Sequence, residues 1–218
     1  MPPAGSGQPE GAGRGPRLAF DHLAVAGETL EAAAERVVEA LGARPEPGGR
    51  HPRFGTWNRL LSLGPSEYLE AIAVDPEAPR PGVPRWFGLD AFSGPPRLRS
   101  WICRVADLDA ALAALPEAGR PVDLARGDLR WRIAVPESGL AAWDGLFPAL
   151  IEWQGTRASD RLPDSGCRLL GLELRHPDAG ALAARLAPHL ADPRIAFRDG
   201  PPGLSARIDT PGGIRTLG

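Results

Sequence analysis

The sequence contains no lysine: all 25 of its basic residues are arginine. That excludes a Schiff-base lysine and the lysine of a phosphate-binding P-loop. Cysteine is nearly absent too. Cys103 and Cys167 are far apart, each inside an apparent strand, and read as buried thiols rather than a disulfide or a metal site. No apolar run reaches the roughly 20 residues that span a bilayer, and no charged-then-apolar leader opens the chain. Nor is there a surplus of either charge: the net value is -2, which offers nucleic acid or an anionic membrane no electrostatic footing. The expectation is a cytoplasmic protein whose partner is a small molecule.

What the chain has in excess is glycine and proline, with 27 and 25 residues among 218. They are clustered. Residues 1–16 (MPPAGSGQPEGAGRGP) hold almost nothing to bury and read as a disordered tail. The segment 77–97 is a proline-rich connection whose Trp86, Phe87 and Phe92 need something to pack on, and 156–166 is a second connection.

Between these segments one pattern recurs: an alternating strand, a capped amphipathic helix, then two or three short strands. In the first copy (17–76), Leu30, Ala33, Ala34, Val37, Val38 and Leu41 form a helical stripe, with Thr29 placed to cap it and Gly42 to end it. The second copy (98–155) has Asp107 as cap, a stripe from Leu108 to Leu115, and Pro116 as stop. The third (167–218) has Asp178 before Leu182 and Leu186 and is the least regular. One such unit leaves a sheet face bare, so units must pair around a cavity. The predicted fold class is α+β: repeated βαβββ modules whose curved mixed sheets enclose a cavity, with the helices outside.

This pattern, with FDHLAVA in the first strand and YLEAIA in the fourth, resembles the vicinal oxygen chelate superfamily. Its members include glyoxalases, extradiol dioxygenases and bleomycin and fosfomycin resistance proteins. The stretch GGRHPRFGTWNRLLSLGPSEYLEAIAVDP is similar to the signature of a glyoxalase-like domain family. The resemblance implies metal ligands on the first and fourth strands of two modules, which correspond here to His22, Glu70, Trp101 and Glu152. Trp101 cannot ligate a metal. The remaining His22, Glu70 and Glu152 would hold one divalent ion (Mn, Fe, Ni or Zn), with Glu70 or Glu152 as general base. Trp101 would instead be a stacking wall.

Each of these residues also has a plainer reading. His22 belongs equally to an Asp21–His22 turn, and Glu70, a charge among Tyr68 and Ile72, needs some partner, whether a metal, His22 or an arginine. Glu152 shares a face with Leu150 and Gln154 and raises the same question. His51, held extended by Pro52 after Gly48 and Gly49, is either a surface loop or a ligand contact. Asn58, disfavoured inside a strand, bonds either a ligand or the His51 loop. His176 and His189 read as structural, and Arg130 and Arg132 as a solvated strand face. The expected activity is that of a glyoxalase-like lyase or isomerase; the alternative is a metal-free protein that sequesters a small molecule or antibiotic. Pairing of modules leaves open a homodimer or a site closed within one chain.

Overall fold

The computed structural model describes residues 15–218, so all but the last two residues of the expected tail lie outside the described part. The first unit contains β1 (Ala19–Ala26), α1 (Leu30–Leu41), β2 (Glu46–His51), β3 (Thr56–Ser62) and β4 (Tyr68–Val74). Helix α1 starts where Thr29 Oγ1 accepts the Ala32 N–H, and ends where Gly42 turns left-handed at φ 69° and donates its N–H to Val38. The second unit contains β5 (Arg97–Arg104), α2 (Leu108–Ala114), β6 (Arg120–Arg126), β7 (Leu129–Val135), a short turn-like α3 (Ala142–Gly145) and β8 (Ala149–Trp153). Asp107 caps α2 by accepting the Ala110 N–H.

These two units form one curled eight-stranded mixed sheet in the order β2-β3-β4-β1-β5-β8-β7-β6. The fold is α+β, as the sequence implies. The first strands of the units, β1 and β5, meet antiparallel at the centre, and each also runs parallel to the last strand of its own unit. Curling brings the two edge strands, β2 and β6, face to face. Neither edge was visible as a strand in the sequence. Strand β2 reads EPGGRH, with proline and two glycines, and its pairing with β3 shifts register between Pro47 and Arg50. Proline and such bulges are tolerated at sheet edges because one side of the ladder is not needed.

The sheet separates two apolar layers. On the convex side, Leu23, Val25, Leu69, Trp101, Cys103 and Leu150 pack against α1 and α2. On the concave side, Tyr68, Ile72, Ile102, Trp131, Ile133 and Ile151 gather around Phe54, Trp86 and Phe87. The connection after β4 supplies Trp86 and Phe87. Trp86 stacks on Phe54 at 4.4 Å between ring centroids, and Phe87 holds the left-handed φ of 58° to reach the same layer.

The third unit contains β9 (Arg168–Arg175), α4 (Ala179–Leu186), β10 (Ile195–Arg198), β11 (Gly203–Thr210) and β12 (Gly213–Leu217), in a separate sheet ordered β10-β9-β11-β12. Its first strand, β9, has β10 parallel on one side and β11 antiparallel on the other. The edge through which the first two units join is therefore occupied within the third by its own hairpin. Leu172, Leu174, Leu204 and Ile208 turn into the convex core. Asp178 precedes α4 but makes no side-chain cap; the ring of His176 accepts the Asp178 N–H at 2.9 Å instead. Among the described residues, no helix is long and apolar enough to cross a membrane.

Candidate functional site

The concave face places His22, Asn58, Tyr68 and Glu70 side by side because β1, β4 and β3 are adjacent and the inward phase of each carries the polar residue. Register aligns His22 with Tyr68, and Asn58 with Ile72. His22, His51, Asn58 and Glu70 are all buried.

Their hydrogen bonds fix their roles. Asp21, lifted inward by a bulge in β1, receives the Trp153 Nε1–H at 3.1 Å and lies 3.9 Å from Arg104. Its other oxygen is 2.7 Å from His22 Nδ1. That contact assigns the ring proton to Nδ1 and turns the Nε2 lone pair toward Glu70 Oε2, 3.7 Å away. Two acceptors thus face each other and must share a proton or receive one from a bound molecule. Tyr68 stacks on the His22 ring at 4.2 Å; burial, with Asp21 and Glu70 nearby, raises its phenol well above the ordinary range and keeps it protonated.

The opposite oxygen of Glu70 accepts from Asn58 Nδ2 at 2.5 Å. The Asn58 amide is oriented by its own oxygen, which accepts from the Gly49 N–H at 2.9 Å and Arg126 Nη1 at 3.0 Å. A Cβ on Gly48 would lie 2.1 Å from that oxygen, so the glycine is a steric requirement of the contact. His51 completes the wall. Its Nδ1 is 3.1 Å from Thr56 Oγ1 and its Nε2 is 3.4 Å from Arg126 Nη1, so Nε2 accepts and the ring is neutral. Burial foremost, then the charges of Arg126 and His22, lowers its pKa to about 3.

These groups surround a narrow cavity of about 30 Å³, walled by Trp86, Phe87, Trp131, Ile133, Ile151 and Trp153. It adjoins an outer hollow of about 430 Å³ between β2 and the β6–β7 turn, with Leu60, Arg126 and Ala158 lining both. A larger groove of about 670 Å³ runs between the end of α1 and the β11–β12 turn, remote from these residues.

Two residues expected at the site are not there. Trp101 is on the convex side, fully buried, and donates its Nε1–H to the Leu146 carbonyl at 2.7 Å. Glu152 also points away from the cavity: its carboxylate accepts the Leu108 N–H at the start of α2 at 2.7 Å and lies 3.5 Å from Arg132. Strand side chains alternate, so an assignment one residue out of phase lands on the opposite face. The inward residues of β5 and β8 are Ile102, Ile151 and Trp153. A divalent ion held by His22, Glu70 and Glu152 does not fit. Of the three, His22 and Glu70 alone converge, one Glu70 oxygen is committed to Asn58, and Arg126 lines the same cavity. Among the described residues, no group of three or more His, Cys, Asp or Glu side chains is placed to hold a metal.

Arg126 and Trp131 join the site without having been singled out from sequence, and Asp21, read there only as the turn partner of His22, joins it as well. For Arg126 the available signal was the Gly127-Asp128 pair, a hairpin turn that places Arg126 at a strand end. His176 and His189 are tied to structure: His176 Nε2 is 3.2 Å from Asp144, and His189 Nδ1 is 3.0 Å from the Pro16 carbonyl. Both cysteines are buried and unpaired.

Comparison with known proteins agrees with this architecture. The glyoxalase-like domain family matches residues 20–190, and the chain belongs to that family. A hypothetical protein from Staphylococcus aureus of known structure shares the fold, with 14% identity, a TM-score of 0.61, and 84% of this chain and 86% of that one covered. Methylmalonyl-CoA epimerase from Mycobacterium tuberculosis is also similar, at 20% identity, a TM-score of 0.42, and 63% of this chain and 88% of that one covered. No curated protein matches the sequence.

Proposed function

We propose that this glyoxalase-like protein is a small-molecule enzyme of the isomerase or lyase type, in which Glu70 and His22 move a proton next to a substrate carbonyl without a metal. The observation that carries this reading is the 3.7 Å approach of His22 Nε2 to Glu70 Oε2 in a buried pocket, where each group already has an orienting partner on its far side.

Glu70 Oε2 takes a proton from the carbon beside the carbonyl. The C–H electron pair becomes a C=C bond, and the carbonyl π pair moves to oxygen. The one proton shared between His22 Nε2 and Glu70 Oε2 rests on His22 in this step, with Asp21 stabilising the imidazolium and Glu70 ionised, and it passes to that oxygen. For an α-hydroxycarbonyl, Glu70 returns its proton to the former carbonyl carbon while His22 Nε2 takes the α-hydroxyl proton and the new C=O forms, which completes an isomerisation. Alternatively, His22 Nε2 takes back the enol proton, the carbonyl re-forms, and the C=C pair shifts to expel a β-substituent with its bonding pair, which completes an elimination. Asn58 holds Glu70 in place, neutral His51 and Arg126 hold Asn58, and the aromatic walls exclude water.

Deuterium uptake tests this. A panel of α-hydroxyaldehydes, α-hydroxyketones and 2-oxo acids incubated in D2O with wild type is expected to exchange at the α-carbon, and exchange is expected to fall at least a hundredfold in Glu70→Gln. Equal exchange by the two proteins would remove the reaction. A second reading, ligand sequestration, draws on the three tryptophans at the pocket and on Trp86 Nε1, a buried donor with no partner among the described residues. It predicts quenching of tryptophan fluorescence by an aromatic ligand with no turnover.

A further inference from the structure

Among the described residues, the half-buried arginines Arg59, Arg97, Arg99 and Arg126 meet no carboxylate within 4.0 Å, and of these Arg126 lines the inner cavity. Arg132, Arg185 and Arg194 each meet a carboxylate within 4.0 Å. Among the described residues, Arg126 meets none; its partners are neutral, Asn58 Oδ1 and His51 Nε2. Both contacts use Nη1, which leaves Nε and Nη2 without a partner among the described residues. A guanidinium partly removed from water and left without a counter-ion is costly unless an anion completes it.

Its location is equally specific. Arg126 ends β6 and crosses to β2, closing the gap between the two edges of the curled sheet. The crossing depends on Gly49, where a Cβ would lie 2.4 Å from Arg126 Cδ. The guanidinium therefore lies at the neck between the inner cavity and the outer hollow. The outer hollow contains two other opposite charges, Asp128 and Arg161, paired to each other, and Glu46, exposed on β2. The inner cavity, about 30 Å³, is much the smaller of the two, against about 430 Å³ outside.

We propose that Arg126 is the anion receptor of this site, and that its ligands carry a carboxylate or phosphate group gripped by the free Nε–Nη2 edge. The substrate class follows: a compact reacting head of one or two groups enters toward Glu70, the anionic group docks on Arg126, and any larger body lies in the outer hollow. The planar fork suits either oxyanion, because both present two acceptors at matching spacing. This assignment of substrate class rests on the proton-transfer reading for the head group, but the anion receptor itself does not.

Titration calorimetry and thermal melts on the full chain test it, with malonate, inorganic phosphate and neutral malonamide as probes against wild type, Arg126→Gln, Arg126→Lys and Glu70→Gln. Wild type is expected to bind malonate or phosphate, more weakly as salt rises, and to ignore malonamide. Preference between the two anions identifies carboxylate or phosphate as the natural group. Arg126→Gln is expected to lose at least tenfold in affinity, Arg126→Lys to fall between because it keeps charge but not the fork, and Glu70→Gln to retain binding. If Arg126→Gln fails to fold, the intermediate affinity of Arg126→Lys carries the test. Equal anion affinity in wild type and the Arg126 variants, or no anion binding to wild type, would overturn the proposal. Intact anion binding with no deuterium exchange on any substrate would leave the receptor standing and remove only the reaction.

Discussion

Asn58 and Glu70, twelve residues apart in sequence, share a 2.5 Å hydrogen bond across adjacent strands, and the Asn58 amide links the buried carboxylate to Arg126. One side chain thus relays the position of an edge-strand cation to the base on the fourth strand.

Substituting this relay separates its two ends. Asn58→Leu strands the Gly49 N–H and one Glu70 oxygen and is expected to cost about 3 kcal/mol or more in chemical denaturation, at about 1–3 kcal/mol per orphaned group. Asn58→Asp keeps the acceptor for Arg126 and Gly49 but replaces the donor with a second acceptor, so the two carboxyls must retain a proton between them. A raised folded-state pKa makes stability fall as pH rises through the carboxyl range, so this variant is expected to be markedly weaker at pH 8 than at pH 5. A flat profile would contradict the 2.5 Å contact.

His51 has the opposite sign. Its pKa falls from 6.5 to about 3 on folding. Between those values the unfolded chain binds a proton that the native protein refuses, so stability drops as pH falls through that window. At about 1.4 kcal/mol per pH unit, the loss is on the order of several kcal/mol. Denaturation midpoints measured across the window are expected to slope steeply in wild type and less steeply in His51→Gln. Parallel slopes would place the acid sensitivity elsewhere.

Trp101 belongs to the helix-side core. Trp101→Phe leaves the Leu146 carbonyl without its donor and is expected to destabilise by about 1–3 kcal/mol with no change in ligand affinity or tryptophan-reported binding at the concave pocket. Loss of binding at unchanged stability would return this indole to the ligand wall.

Glu152 behaves as a helix cap. Glu152→Ala removes the acceptor for the Leu108 N–H and the partner of Arg132, and is expected to cost about 1 kcal/mol in thermal stability while deuterium exchange persists. Glu152→Gln keeps the acceptor and is expected to recover most of the loss. Exchange abolished at an unchanged melting temperature would restore Glu152 to the chemistry.

How far the site was legible follows from the same residues. The stretch from Gly48 to Glu70 announced itself because polar residues in strand phase among apolar neighbours need partners, and His51, Asn58 and Glu70 do bond within one network. In β5 and β8 the signal was ambiguous. Both phases of LRSWICR and ALIEW are rich in apolar residues, because a sheet covered on each face buries both. Nothing local says which phase looks inward, and Trp101 and Glu152 were assigned to the wrong one.

The sequence by itself determined the repeated strand–helix–strand units, the helix caps at Thr29 and Asp107, and a first unit whose inward phase carries His22, Asn58 and Glu70. Those are local properties, set by periodicity of two and of 3.6 residues and by capping chemistry over a few positions. Only the tertiary structure decided that β1 and β5 join at the centre, that the curl carries Arg126 across to Gly49, and that Trp153, reaching from β8, holds the Asp21 carboxylate beside the His22 ring. Each depends on sheet twist and on atoms dozens of residues apart, whose meeting is fixed by long-range packing rather than by any pattern within one segment.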